Sequence, residues 1–178
     1  MNQLDVRLSR WAAKHGPAIL RITLGIIFLW FGALKFVPGL SPADELAGRT
    51  IRDLTLGMVE PAVSRPVLAA WETLIGLGLL IGCGRVGWRS IVLRGTILLL
   101  ALQMPGTFMP LLLYPGETFT RFPYAPTLEG QYIVKNLVLI AAAIVVGATV
   151  RGGAIVASPR VAARAKAEDE AEGGVGSC

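Results

Sequence analysis

Five polar side chains interrupt the apolar stretches of this chain and could do chemistry there. They are Lys35, Glu72, Gln103, Lys135 and Asn136. An ionisable group within a spanning helix is costly, so it marks a functional site by default. Glu72 is the clearest case, because it lies about 9 Å of helix beyond Pro66, where an apolar run begins. A buried carboxylate needs a cation, and Lys35 or Lys135 could supply it.

Two interpretations of these residues are open. In the first, they line a polar pocket between helices that opens toward the outer face, where small ligands commonly bind. A lysine would polarise a ligand oxygen there, and Glu72 would balance the charge or pass a proton. In the second, they only tie the helices together. A packed ion pair would favour the structural role, an outer pocket would favour ligand chemistry, and a path to the inner face would favour transport.

The sequence argues against metal, haem, disulfide, nucleotide-phosphate and nucleic-acid sites. The single histidine, His15, excludes most haem and zinc sites built from several histidines. Cys83 and Cys178 belong to no C-x-x-C pair and are too few for a disulfide scaffold. We expect no metal, no covalent cofactor and no nucleotide-phosphate loop. The net charge of +5 indicates membrane topology and contact with anionic lipid, not nucleic-acid binding.

Composition determines which elements can hold the polar residues. Hydrophobic residues make up 53% of the 178 and charged residues only 16%, with a mean hydropathy of +0.60. A soluble domain has about 25% charged residues. A spanning helix needs about 20 apolar residues, and four runs qualify: 18–37, 66–82, 88–109 and 132–150. The sequence therefore predicts an all-α, integral membrane four-helix bundle.

The segments outside the spans have simpler predictions. Residues 1–17 form a cytoplasmic N-terminal segment that ends at the helix-breaking pair Gly16 and Pro17. The tail, 151–178, is rich in Ala, Glu, Lys and Gly and is predicted to be cytoplasmic and disordered. Arg21 and Arg94 lie near the inner ends of their helices, where long side chains can extend to water.

Two further patterns concern the outer side and the third span. Leu46, Ile51, Leu54 and Met58 recur at roughly helical spacing and predict a short amphipathic outer-surface helix, with an irregular loop as the alternative. Pro105 removes a backbone donor and should kink or end the third helix.

Lys and Arg are distributed unevenly between the two sides of the predicted bundle. Nine lie in the N-terminal segment, the loop between the second and third spans, and the tail, whereas four lie in the other two loops. Because cytoplasmic loops carry the excess of positive charge, both termini are predicted to be cytoplasmic.

Four motifs resemble those of the DoxX-like membrane proteins and their YkgB-like relatives. They are RITLGIIFLWFGALKF, WETLIGLGLL, QMPGTFMP and FPYAPTLEGQYIVKNLVLIAAA, and the similarity runs from about Arg21 to Gly153. The resemblance implies a four-helix protein of the bacterial inner membrane. It also implies a link to thiosulfate–quinone oxidoreduction, as in some members, or to resistance against oxidants, thiol stress or reactive chlorine. On these motifs, Lys35, Glu72, Lys135 and Asn136 would be the family's polar positions.

Together, the residues and the resemblance predict a redox-associated subunit that binds a quinone-like or other small molecule near the outer face. Such a subunit would support oxidant or thiol-stress resistance, with quinone as a non-covalent cofactor. Its partners would be the lipid bilayer and either a redox enzyme or a second copy of the chain. The alternatives are a non-catalytic membrane scaffold for a soluble redox enzyme, or a small transporter. Whether the chain is itself an enzyme stays open.

The charge asymmetry generates a topology prediction. Reporter fusions at the C-terminus and at Gly116 should report opposite sides of the membrane, with the C-terminal reporter active in the cytoplasm. Matching signals from the two fusion sites would rule out the four-span topology.

Overall fold

Four helices of the chain are long and apolar enough to cross a membrane. The computed structural model describes residues 3–41, 44–82, 87–150, 153–161, 163–164 and 167. Within these residues the four helices are Gln3–Leu34, Pro61–Ile81, Trp88–Leu113 and Leu128–Thr149. The prediction of four apolar helices in a mostly helical chain is therefore confirmed. Cys83, Cys178 and most of the predicted tail lie outside the described residues.

Seven helices and one small hairpin follow one another between residues 3 and 149, and further helical residues lie at 159–161 and 163–164. In order they are α1 (Gln3–Leu34), α2 (Asp44–Leu54), α3 (Pro61–Ile81), α4 (Trp88–Leu113), α5 (Pro115–Thr118), β1 (Phe119–Arg121), β2 (Ala125–Pro126), α6 (Leu128–Val134) and α7 (Asn136–Thr149). The two strands pair antiparallel. A single residue, Lys135, separates α6 from α7, so the fourth span consists of two consecutive helices.

The four long helices pack in the cyclic order α1, α3, α4, α7. The most extensive contact joins α1 to α3, which run antiparallel, and α4 runs antiparallel to α3 in turn. The core between them is apolar, and its most buried members are Leu24, Phe28, Ile75, Leu79, Leu93, Leu100 and Val146. Burial of these side chains inside the ring leaves the outer faces of the helices apolar and exposed, as lipid contact requires.

Glycines permit the close approach of α1 and α3. A Cβ atom at Gly76 would lie 2.7 Å from the Cα of Leu29, and one at Gly32 would lie 2.7 Å from the backbone nitrogen of Thr73. Real side chains do not tolerate such distances, so backbone packs on backbone at both points. Small residues at helix interfaces allow this packing in membranes, where apolar lipid supplies no hydrophobic drive between helices.

Two prolines lie inside helices where the sequence predicted interruptions. α1 continues through Gly16 and Pro17, and α4 continues through Pro105 to end at Leu113. The prediction that the helices end at these prolines is therefore wrong, whereas the kink at Pro105 stays a prediction. A proline removes one hydrogen bond to the fourth residue before it, but the turns on either side keep theirs, so both helices continue.

Arg21 has a different role from the one predicted. Its guanidinium donates hydrogen bonds to the backbone oxygens of Leu79 and Gly82, the latter at 2.6 Å. Arg89 adds a 2.9 Å hydrogen bond to the oxygen of Ile81. The last carbonyls of a helix lack partners within it and carry partial negative charge. Arg21 therefore caps the end of α3 across the bundle instead of extending to water.

The helix α2 packs against the beginning of α3 and against α4. A Cβ atom at Gly48 would lie 3.2 Å from the side chain of Pro61, so the two elements are in close contact. The presence of a helix at 44–54 matches the periodicity in the sequence. Its position on an outer membrane surface stays a prediction. We call the end of the bundle that carries α2 and the hairpin the α2 end.

Polar contacts attach α2 to the segment that follows α4. Arg49 forms an ion pair with Glu117, and its guanidinium lies 4.3 Å from the centre of the Tyr114 ring. The Tyr114 hydroxyl donates a hydrogen bond to Asp53. The hydrogen bond to Glu117 raises the pKa of Arg49, and the hydrogen bond to Asp53 raises the pKa of Tyr114. Both residues therefore stay protonated to higher pH than usual, which preserves the attachment.

The close contact at Gly76 generates a stability prediction. Gly76→Ala should push α1 and α3 apart and lower the free energy of unfolding by about 1–3 kcal/mol, the usual cost of overpacking. Thermal unfolding in mild detergent measures the change. Gly95→Ala is the matched control, because nothing lies within 4 Å of a Cβ atom at that helical glycine. Equal loss of stability in both variants would show that helix composition, not the α1–α3 contact, causes the effect.

Candidate functional site

Glu72 lies near the middle of α3, eleven residues after its first residue and nine before its last. The helix begins earlier than the sequence indicated, so the carboxylate is further from the first residue of the helix than predicted. Glu72 is 9% exposed, and its neighbours Ala69 and Ile75 are fully buried. An ionised carboxylate in such surroundings requires both a cation and hydrogen-bond donors.

Lys35 supplies the cation. It follows α1 directly, and its Nζ lies 2.5 Å from Oε2 of Glu72. Lys35 is 8% exposed, so the pair is almost fully enclosed. The contact of Gly32 with the backbone of Glu72 and Thr73 brings the two helices close enough for the pair to form. The prediction that an amine lies within salt-bridge reach of Glu72 is confirmed for Lys35.

Gln103 on α4 completes the cluster. Its Nε2 donates a 2.8 Å hydrogen bond to Oε1 of Glu72, so each carboxylate oxygen has one donor. The amide must present its nitrogen to the carboxylate, since its oxygen would be repelled there. Consequently Oε1 of Gln103 is buried and has no hydrogen-bond partner among the described residues. We call Lys35, Glu72 and Gln103 the polar cluster.

Lys135 and Asn136 do not join the polar cluster. Lys135 is exposed, and its Nζ lies 3.4 Å from the centre of the Tyr132 ring and 5.9 Å from that of Phe31, as in cation–π contacts. Asn136 is half-buried at the start of α7, and within the described chain no hydrogen bond links it to Glu72. The structure thus brings three of the five predicted residues together and leaves two on the α7 side.

Thr73 is a polar residue that the sequence reasoning missed. Its Oγ1 is buried and has no hydrogen-bond partner among the described residues. Threonines in helices usually donate to a carbonyl one turn back, as Thr96 does to Val92 at 2.8 Å. The signal in the sequence was the placement of a second polar residue directly after Glu72 in an apolar run. Two buried oxygens therefore lack a hydrogen-bond partner among the described residues. One is Oε1 of Gln103, whose amide nitrogen bonds to Glu72, and the other is Oγ1 of Thr73, the residue directly after Glu72.

Two apolar grooves mark the surface of the bundle, and neither includes the polar cluster. One, of about 470 Å³, runs along the second half of α1 beside Trp30 and Val37. The other, of about 370 Å³, lies between α4 and α7 and is lined by Met104, Phe108 and Ala143 among others. Among the described residues no group of three or more His, Cys, Asp or Glu side chains could hold a metal ion.

Comparison with known proteins adds no family. No protein-family model, curated protein or solved structure matches the chain. The similarity to DoxX-like proteins therefore depends on the four sequence motifs alone.

The enclosed ion pair generates a prediction about Glu72. Glu72→Ala should lower stability by about 3–5 kcal/mol, because it leaves the Lys35 ammonium buried without a counter-charge. Glu72→Gln should cost less, since the amide can still bond to Lys35 and Gln103. Thermal unfolding in detergent and the yield of folded protein measure both variants.

Glu129→Ala is the control for loss of a carboxylate, because Glu129 is exposed in the first turn of α6. It should change stability by less than about 0.5 kcal/mol. If Glu72→Ala unfolded no more readily than Glu129→Ala, the pair would not be a buried one.

Proposed function

We propose that the chain is a redox-associated membrane subunit whose polar cluster binds a quinone-like small molecule. The buried, unpartnered Oε1 of Gln103 carries this proposal. A buried acceptor without a donor costs about 1–3 kcal/mol, and such groups in native proteins need an explanation. A ligand hydroxyl that donates to this oxygen would supply one.

The chemistry of the cluster suits a ligand that interconverts carbonyl and hydroxyl groups. The Lys35 ammonium has three N–H donors, and the hydrogen bond to Glu72 uses one of them. A second could donate to a ligand carbonyl, while Gln103 accepts from a ligand hydroxyl. A quinone presents the first group and the corresponding quinol presents the second. The Glu72 carboxylate would balance the ammonium charge. When a quinol is oxidised to a quinone, Glu72 would accept one of the two protons, the other would leave to water at the α2 end, and the two electrons would pass to a partner redox protein.

The proposed route to the cluster is from the α2 end. Lys35 lies at that end of α1, in the turn that directly follows the helix. The ligand would enter by separation of helix ends there, since Lys35 and Glu72 are enclosed in the structure. We place this end on the outer side of a bacterial inner membrane, with both termini cytoplasmic, because of the charge asymmetry between the loops. Electrons would pass to or from a partner redox protein, in keeping with support for oxidant or thiol-stress resistance.

A non-catalytic membrane scaffold is the second candidate. It is favoured by the tight packing of the Lys35–Glu72 pair and by the position of both apolar grooves away from it. In this case the pair would only hold α1 to α3, and the tail would recruit a soluble redox enzyme. A small transporter, the remaining alternative, would need a path from Glu72 to the opposite end of the bundle.

The polar cluster generates a binding prediction. Lys35→Met should weaken binding of a short-chain quinone about tenfold or more, because loss of a hydrogen bond to a charged group costs about 1.5–3 kcal/mol. Gln103→Leu should weaken binding of the corresponding quinol, which donates a hydroxyl to Oε1, and Glu72→Gln should weaken binding of both forms, because it removes the counter-charge of Lys35. Quenching of tryptophan fluorescence in the purified protein measures binding, since Trp71 precedes Glu72 in the chain. Survival of oxidant-treated cells that produce each variant measures the consequence.

Two comparisons separate the candidates. Glu129→Gln alters an exposed carboxylate and should leave quinone binding and survival unchanged. A triple variant, Lys35→Met, Glu72→Leu and Gln103→Leu, replaces the cluster by apolar side chains, which often preserves or increases stability. A stable triple variant without binding or protection would support the ligand site. A stable triple variant with full protection would favour the scaffold instead.

A further inference from the structure

The first turns of α1 extend well beyond the part of the helix that a membrane can cover. α1 has 32 residues, which corresponds to about 48 Å of helix against about 30 Å of hydrocarbon. The continuous apolar run begins at Ala18. The four turns before it are therefore helical and outside the hydrocarbon core. We call residues 3–17 the N-terminal arm.

One face of the N-terminal arm carries large apolar side chains that pack on no other part of the bundle. Leu8 is 59% exposed and Trp11 is 56% exposed. They are three residues apart, so they project from neighbouring positions on the same helix face. In α1 the buried residues begin only at Leu24. An apolar face of this kind on a helix that continues out of the membrane needs a covering surface.

Basic residues lie beside this apolar face. Arg7, Arg10 and Lys14 are spaced by three and four residues, so they form one stripe along the arm. At 100° per residue, this stripe lies about 90° around the helix from the centre of the Leu8 and Trp11 face. Asp5 lies about 90° away on the other side of that face, and Ser9 lies about 130° away. No ion pair joins the three cations to a described carboxylate. This arrangement is typical of helices that lie in the membrane interface, where Lys and Arg reach the headgroups from the edge of an apolar face.

The junction between the arm and the span can bend. Pro17 has no backbone N–H, so the carbonyl of Ala13 lacks its usual helical donor. Gly16, directly before it, has no side chain, and no other described element lies within 4 Å of the position that a Cβ atom would take there. The weakest turn of α1 therefore lies where the helix meets the edge of the hydrocarbon core.

We infer that the N-terminal arm binds the surface of the bilayer that holds the protein, through the phosphates of anionic phospholipids. Bending at Pro17 would lay the arm along the interface, with Leu8 and Trp11 in the acyl boundary and the three cations at phosphate level. A second copy of the chain is a poorer occupant, because pairing of two arms would place six cations side by side. An anionic lipid surface neutralises the same charges and buries the same apolar face.

Spin labels on opposite faces of the arm test the inference in the full-length protein. Leu8→Cys places a label on the apolar face, and Ser9→Cys is its matched control on the polar face. Both are made with Cys83→Ser and Cys178→Ser and reconstituted in nanodiscs of phosphatidylcholine with or without phosphatidylglycerol. Power saturation compares each label's accessibility to oxygen, which enriches in lipid, with that to a water-soluble nickel chelate.

The expected result is that the label at position 8 is at least threefold more accessible to oxygen than to nickel when the lipid is anionic, while position 9 shows the reverse. Arg7→Gln, Arg10→Gln and Lys14→Gln together should remove the difference, as should a purely zwitterionic bilayer. Equal nickel accessibility at both positions in anionic nanodiscs would overturn the inference. So would a position-8 preference that the triple glutamine variant leaves intact, or spin–spin coupling between two copies in one disc.

Discussion

Burial of the Glu72 carboxylate in an apolar bundle requires a cation and a hydrogen-bond donor at fixed positions. Lys35 meets the first requirement only because α1 approaches α3 closely enough for backbone to contact backbone at Gly32. Gln103 meets the second from α4. Three of the four long helices are thereby held in one rotational alignment about a single side chain. Rotation of any of these helices about its axis would separate the carboxylate from at least one of its two partners.

This cluster contributes specificity more readily than stability. An ion pair within a membrane or a core gains little over well-packed apolar residues, because desolvation offsets the attraction between the charges. A chain that needed only a stable bundle could have used leucine at Glu72 and methionine at Lys35. The enclosed charged pair fits the structural role, whereas packing does not explain the unsatisfied amide oxygen on Gln103, which motivates the proposal of a ligand. The enclosure of the pair leaves the scaffold as the rival that experiment must exclude.

Some of this arrangement follows from the sequence and some does not. The length and hydropathy of the four runs were enough to predict the helices, because spanning length is a fixed physical requirement. Position along each helix correctly brought Lys35 and Gln103 to the level of Glu72. Position along a helix does not, however, tell which way a side chain points once the helix has neighbours. Lys135 was predicted at the same level from its position along the fourth span, but its Nζ contacts the Tyr132 ring instead of Glu72. The acceptors of Arg21 could not be predicted either, because every residue has a backbone carbonyl and the residue type does not show which one accepts a hydrogen bond.

The two ends of the bundle are held by groups of different kinds. At the α2 end three attachments between side chains use a carboxylate: Glu117 with Arg49, Asp53 with Tyr114, and Asp44 with Arg65 at 3.6 Å. At the other end Arg21 is held by the carbonyls of α3. The attachment of Arg21 therefore depends on backbone atoms that no substitution in α3 removes, whereas each of the three attachments at the α2 end is lost when a single side chain is replaced.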